Sequence, residues 1–227
     1  MDIAGIHERP DLRGRVAVFK DRDHAGILLG DMLAPFSLEN GLVLGIPAGG
    51  VPVGLAAAAR LGLPFDVVVV SKITLPWNTE AGYGAVAFDG TCELNRALIT
   101  HLSLSEDQIS EGIRKTRSKV MRRVERFRGN RPFPELTGRP VILVDDGLAS
   151  GFTMRTAIAA LRKSGADTLI VAVPTAHDRA VADIAGLAEG VVCANIRPGG
   201  RFAVAEAYQD WYDVSEAEVL LALKSSP

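Results

Sequence analysis

Apolar residues along this chain fall in short dense runs separated by stretches with a helical period. The runs are LVLGIP at 42–47, FDVVVV at 65–70, VILV at 141–144, TLIVAV at 168–173 and VVCANI at 191–196. Each is apolar at both parities, as a strand covered on both faces should be. Between them lie helices. Asp21 caps the first, with Asp23 in its opening turn and Ile27, Leu28 and Met32 on one face. Val51 to Leu61 is Ala-rich and is stopped by Gly62. Ser105 opens a long helix in which Ile109, Ile113, Val120, Val124 and Phe127 form a stripe. Another, with Thr153 in its first turn, runs to about Ser164, with Gly165 as its stop, and a short acidic helix ends the chain. Strands alternating with helices predict right-handed crossovers and a three-layer α/β fold. The expectation is a central, mostly parallel sheet of about five strands flanked by helices, with 1–227 forming one domain.

Residues 71–91, SKITLPWNTEAGYGAVAFDGT, break this rhythm. Gly, Pro, Asn and Thr mix without a sustained period, which predicts a long loop with room for a hairpin at its end. Loops of that length in a compact domain are functional or disordered. Composition changes the picture little. The 227 residues are 48% apolar, enough for a sizeable core, and the net charge of −2 argues against a polyelectrolyte binder. Cys92 and Cys193 match no metal or disulfide spacing, which fits a reducing compartment. The charged N-terminus has no apolar h-region, and no uncharged apolar stretch approaches membrane-spanning length. A cytoplasmic protein with no membrane association is expected.

Candidate chemistry concentrates in VILVDDGLASGFTM, residues 141–154. A buried strand delivers Asp145 and Asp146 to the carboxyl edge of the sheet, where open α/β folds bind ligands. Gly147, Leu148, Ala149, Ser150 and Gly151 form a small-residue loop, Phe152 follows, and Thr153 stands in the first turn of a helix. Glycines let backbone N–H groups approach an anion, the helix start adds partial positive charge, and Ser150 and Thr153 add hydroxyls. Paired carboxylates beside a phosphate cradle suit a sugar diol one ring away from its phosphate, and favour Mg²⁺. The plainer reading makes Asp145 a helix cap and Asp146 a solvated turn residue; one acid alone would favour it, while two beside the cradle after a buried strand favour the ligand site. The P-loop lysine is missing after Gly151, and GYGAVA at 82–87 follows no predicted strand, so neither rival phosphate motif fits.

This segment resembles the PRPP-binding signature of type I phosphoribosyltransferases, where PRPP is 5-phosphoribosyl-1-pyrophosphate. It is most similar to members of unassigned substrate. The resemblance implies that Asp145 and Asp146 hold the ribose hydroxyls and the Mg²⁺ of Mg-PRPP, and that residues 147–153 wrap the 5′-phosphate. It also implies that GIPAGG at 45–50 is the pyrophosphate loop, with Ala48, Gly49 and Gly50 offering backbone only. Lys72, opening the irregular segment that corresponds to the family's mobile catalytic loop, is the candidate for the missing pyrophosphate charge. Glu80, in the same segment, is a candidate general acid or base, although a solvated loop residue reads as well. The implied reaction is phosphoribosyl transfer to an unidentified nitrogenous, nucleobase-like acceptor, with homodimerisation implied by the resemblance alone.

Two regions remain. The tail within 191–215 is the expected hood over the acceptor, with Arg197, Phe202 and Trp211 as candidate contacts, a small satellite core being the plainer reading. His177 stands alone at the ligand-bearing edge. The basic run within 111–131 raises the alternative of a non-catalytic PRPP-binding regulator of nucleic acid. No aromatic readers are interleaved, so the run is read as an exposed helix face near a subunit interface, and nucleic acid is not expected as a partner.

Overall fold

The computed structural model describes residues 4–225, leaving aside the side chains of Thr79 and Glu80. In chain order the elements are β1 (Ile6–Glu8), α1 (Arg22–Leu33), β2 (Leu42–Gly45), α2 (Gly50–Leu61), β3 (Phe65–Val67), β4 (Val70–Leu75) and β5 (Asn78–Ala87). There follow β6 (Cys92–Leu94), α3 (Arg96–His101), α4 (Glu106–Arg128), β7 (Pro140–Val144), α5 (Phe152–Lys163), β8 (Thr168–His177), α6 (Asp178–Ala185), β9 (Gly190–Arg197) and α7 (Glu216–Ser225).

The central sheet has six parallel strands in the order β1-β9-β8-β7-β2-β3. It is three-layered, as the doubly apolar strands predict. Val43, Ile142, Val144, Ile170 and Val192 pack on one side with Ala25, Leu29 and Val53 of α1 and α2. Leu44, Leu143, Val171 and Cys193 pack on the other with Met154, Ala157 and Leu161 of α5. The sixth strand, β1, escapes sequence reading because an edge strand of three residues with exposed or half-buried side chains carries no apolar run.

Helix boundaries follow local chemistry. The Asp21 side chain accepts from the His24 amide at 2.8 Å. Ser105 and Gln108 close a reciprocal capping box at the start of α4. Gly62 adopts φ +66°, a left-handed stop that a side chain would strain.

The expectation of a long loop over 71–91 is corrected. Most of them form the β4–β5 hairpin, with Pro76 and Trp77 at its turn, and β6 just beyond completes a second, antiparallel sheet in the order β4-β5-β6. Register shifts at Ile73/Thr74 and Thr74/Leu75 scramble the alternation that would have betrayed the strands. The FDVVVV run is likewise divided: Phe65–Val67 belongs to the central sheet, and Val70 begins the ribbon. A third core fixes ribbon to helix, with Ile73, Tyr83 and Val86 against Ile109, Val120 and Phe127.

At the far end of α4, the buried Arg128 reaches back to Asp66 of β3, with Nη1 2.5 Å from the carboxylate, while Nη2 donates to the Pro132 carbonyl at 2.7 Å. Arg128→Ala would leave the half-buried Asp66 without its closest cation. Removing one partner of a buried pair costs about 3–5 kcal/mol, so urea unfolding of this variant is expected to show a loss in that range.

Candidate functional site

The chain leaves β2 toward β3 on one side and returns through β7 to β8 and β9 on the other. The carboxyl ends of β2 and β7 therefore sit side by side at the switch point of the sheet, where a crevice opens. The two loops that leave these ends are GIPAGG and the DDGLASG segment. They are tied together where the Ile46 amide donates to the Val144 carbonyl at 2.9 Å.

A cleft of about 550 Å³ occupies this position. Asp145, Asp146 and Thr153 line it from the β7 side, and Pro47, Ala48 and Gly49 from the β2 side. The Pro47–Ala48 peptide is cis. Ser71, Lys72 and Thr74 of β4 and Lys119 and Arg123 of α4 close the opposite wall. Backbone approach is tight. A Cβ on Gly49 would stand 1.8 Å from Asp146 Oδ2, and one on Gly50 would meet the Val144 carbonyl at 2.7 Å. Only glycine lets the two loops pass this close.

The acids are half-committed. Asp145 Oδ1 accepts from the Asp146 amide at 2.9 Å. Asp146 Oδ2 accepts from Arg22 of α1, through Nε at 3.0 Å and Nη2 at 2.9 Å. Among the described residues, Asp145 Oδ2 and Asp146 Oδ1 engage in no hydrogen bond, and neither is sealed away from solvent. Burial, then the neighbouring Asp146, push the Asp145 carboxyl well above the usual carboxylate range. Burial also raises Asp146, with Arg22 opposing.

Beside the acids lies the loop. Leu148 is fixed at both ends, its amide donating to the Thr175 carbonyl and its carbonyl accepting from the His177 amide, each at 2.9 Å. The amides of Ala149, Ser150 and Gly151 donate to no described group. Gly151 takes φ +75° and precedes α5, and no described side chain caps that helix. A row of open N–H groups at a helix start is an anion site by construction.

The opposite wall is cationic. Arg123, mostly buried, donates to the Ser71 hydroxyl at 3.3 Å and lies 3.2 Å from Glu216 of α7. The atom facing that carboxylate is Nε, in an ion pair whose angle falls outside hydrogen-bond geometry. Burial lowers the Lys119 pKa, and Arg123, Lys72 and Arg122 lower it further against the nearby carboxylate of Glu216. Lys119, Arg122, Arg123 and Arg126 crowd around the one carboxylate of Glu216 on this wall.

Most residues expected from the sequence thus meet in one place, with exceptions. Glu80 lies in β5, but its side chain falls outside the described residues. Arg197 and Phe202 stack together at 5.1 Å, with Arg197 bound to Glu206 and Phe202 edge-on to His177. Trp211 lies flat on Arg22 at 4.0 Å. None of these three lines the cleft with the acids. The tail instead wraps the back of the site: the Tyr208 hydroxyl donates to the Asp146 carbonyl at 2.6 Å, and Val204 packs so closely on Gly147 that a Cβ there would meet it at 2.4 Å.

The reading of α4 as a wholly exposed basic face is corrected too. Arg114 and Lys115 do pair with Glu111 in solvent, but Lys119 and Arg123 enter the cleft and Arg128 is buried. Lys119 and Arg123 are i,i+4 on one helix face, a spacing visible in sequence; the partner surface of β4 was not. Arg22 was missed outright, because nothing in its neighbourhood of α1 marks it.

Paired acids, a loop whose amides meet no described acceptor, and a cationic wall thus meet at one crevice. The sequence profile of the phosphoribosyl transferase domain family matches residues 25–196. The chain belongs to that family. It is 40% identical over 208 residues to the Mycobacterium tuberculosis (strain H37Rv) protein named "Putative phosphoribosyl transferase Rv0571c", covering 91% of this chain and 46% of that one. It thus spans about half the length of the curated relatives it matches most fully. It is also 30% identical over 131 residues to orotate phosphoribosyltransferase of Streptomyces coelicolor, covering 52% of this chain and 71% of that enzyme. Among solved structures, TT1426 from Thermus thermophilus is similar with a TM-score of 0.74 at 36% identity, over 92% of this chain and 98% of that one.

Proposed function

We propose that this chain binds PRPP with Mg²⁺ and transfers the phosphoribosyl group to a nitrogenous, nucleobase-like acceptor, releasing pyrophosphate. The observation that carries this reading is the pair of carboxylate oxygens on Asp145 and Asp146 that engage in no hydrogen bond among the described residues, between open amides on one side and the cations of α4 on the other. Those oxygens accept from the two ribose hydroxyls. Residues 147–153 hold the 5′-phosphate through the amides of Ala149, Ser150 and Gly151 and the hydroxyls of Ser150 and Thr153. Ala48, Gly49 and Gly50 offer backbone to the pyrophosphate, and Lys72, Lys119 and Arg123 offer charge.

In the reaction the C1–oxygen bond to pyrophosphate breaks as the C1–nitrogen bond forms, and the acceptor nitrogen loses its proton. Charge develops on the departing pyrophosphate, where the cationic wall is already assembled. Glu80 is proposed as the group that moves the acceptor proton. The acids also fit a metal. Two adjacent carboxylates in a half-buried cleft, with no third acid, cysteine or histidine completing a cage among the described residues, suit a Mg²⁺ that keeps waters and shares substrate oxygens. When bound, Mg²⁺ would neutralise charge on the pyrophosphate and the acids together. By family resemblance the working form is a homodimer in the cytoplasm; light scattering of the purified protein checks the dimer.

The deciding measurement is calorimetric titration with PRPP and Mg²⁺, followed by a pyrophosphate-release assay against a panel of bases. Binding and acceptor-dependent release support the transferase. Phosphate release without acceptor would indicate a hydrolase, and PRPP-sensitive nucleic-acid binding without turnover would indicate a regulator. Within the cradle, Ser150→Ala with Thr153→Val removes two donors to a charged group, about 1.5–3 kcal/mol each. Ribose 5-phosphate binding should weaken accordingly in the same calorimeter, while the backbone amides keep it measurable.

A further inference from the structure

We propose that Arg22 is a positioning residue for ribose recognition: it pins one oxygen of Asp146 so that the other faces the sugar hydroxyls, and the aromatic tail holds Arg22 in place. This inference rests on the reading of the acid pair as the ribose site. Both Nε and Nη2 of Arg22 converge on the same oxygen, Oδ2, and leave Oδ1 without a hydrogen-bond partner among the described residues. The third nitrogen, Nη1, donates to the Tyr212 carbonyl at 2.9 Å. The Arg22 side chain is 6% exposed, and its guanidinium carbon stands 4.0 Å from the centre of the Trp211 ring.

A guanidinium so fully engaged is not a ligand group waiting for substrate, and a ribose hydroxyl could not displace it without stranding a buried charge. Its rigid fork is what fixes the rotation of the Asp146 carboxylate about its last torsion, which is otherwise broad. The contacts reach across the whole chain, from position 22 through 146 to 208–212. Tyr208 completes the frame by holding the Asp146 carbonyl. The tail expected to cover an acceptor therefore has a second task, as the backing of the ribose subsite. Gly49 also crowds Oδ2, where a Cβ would stand 1.8 Å away, so the oxygen held by Arg22 has little room to swing.

The test compares two probes, ribose 5-phosphate and inorganic phosphate, by calorimetry on wild type, R22K, R22M, D146N, W211L and the double variant R22M/D146N. Removing an outer partner that orients a ligand-binding group typically costs about 10-fold or more, as metal-site carboxylates and histidines show. R22M is expected to weaken ribose 5-phosphate by about that factor and to leave inorganic phosphate unchanged, since the amide cradle is untouched. R22K, which keeps the charge but loses the fork, should recover part of the loss, and W211L should lose part. The double variant should bind no more weakly than D146N alone, because both changes remove one interaction. A purely structural Arg22 would weaken both probes together. The inference is overturned if R22M and R22K bind ribose 5-phosphate as wild type does while D146N does not, or if the losses of R22M and D146N multiply. If wild type itself holds ribose 5-phosphate no tighter than phosphate, the diol reading falls, and this inference with it. Should R22M fail to fold, R22K and W211L decide by the same comparison of probes.

Discussion

Asp145→Asn is expected to make the ligand-free protein more stable at neutral pH while crippling its binding of PRPP with Mg²⁺. The two effects have one cause. Asp145 sits beside another carboxylate in a half-buried cleft, and burial first, then Asp146, holds its carboxyl well above the usual range. A folded-state pKa above the unfolded value means that the protonated form is the one folding favours. That stability is complete below the unfolded pKa and is lost as pH rises through the raised value. Asparagine mimics the protonated acid in shape, and its oxygen can still accept from the Asp146 amide. The variant should therefore melt higher than wild type at neutral and mildly alkaline pH, with the difference closing in acid. For PRPP the sign reverses. The ionised oxygen is what accepts from a sugar hydroxyl and faces a divalent ion, and losing one charge-assisted bond costs about 1.5–3 kcal/mol, roughly 10- to 150-fold in affinity. Scanning calorimetry across pH and titration with Mg-PRPP measure the two halves separately. A variant less stable at every pH that still binds PRPP would show that the site is elsewhere. Asp146→Asn differs because its partner Arg22 is a buried cation, so that substitution should destabilise.

This contrast marks how far the sequence could be read. The strand-acid-acid-loop-helix segment is local: hydrophobic run, carboxylates and small residues are contiguous, so its fold and its position at the sheet edge follow from order alone. The doubly apolar strands and capped helices are legible for the same reason. What was hidden is pairing across the chain. Ion pairs of Arg22 with Asp146, or of Arg128 with Asp66, join residues 124 or 62 positions apart, and no periodicity records them. The ribbon β4-β5-β6 was hidden differently. Its two register shifts cancel the period of two, and its glycines have a packing purpose that composition assigns to loops: a Cβ on Gly84 would meet the Glu93 carbonyl at 2.4 Å. The basic run of α4 illustrates a third limit. A helix face shows its charges in sequence, but which of them meets a second acid-lined wall depends on where the helix is laid down.

That last point gives the second large effect. Lys119→Met with Arg123→Met should weaken PRPP and inorganic pyrophosphate strongly and leave ribose 5-phosphate nearly unchanged. Methionine keeps the apolar stems that pack beside β4, so the wall loses charge without collapsing. In the ligand-free protein these cations repel each other: burial and its basic neighbours lower Lys119, and Glu216 answers them in part. A folded-state lysine pKa below the unfolded value makes the charged form the costly one, so wild type gains stability as pH rises through that window, and the double variant loses this dependence. An arriving pyrophosphate supplies the missing negative charge, which makes the wall's repulsion without ligand and its affinity with ligand two aspects of the same arrangement. Two charge-assisted contacts at about 1.5–3 kcal/mol each predict a loss of roughly 10²- to 10⁴-fold for pyrophosphate. Screening provides an independent check, because wild-type affinity for pyrophosphate should fall with added salt more steeply than the variant's. Equal losses for ribose 5-phosphate would mean instead that the wall serves the sugar phosphate, and would reverse the direction in which PRPP lies along the cleft.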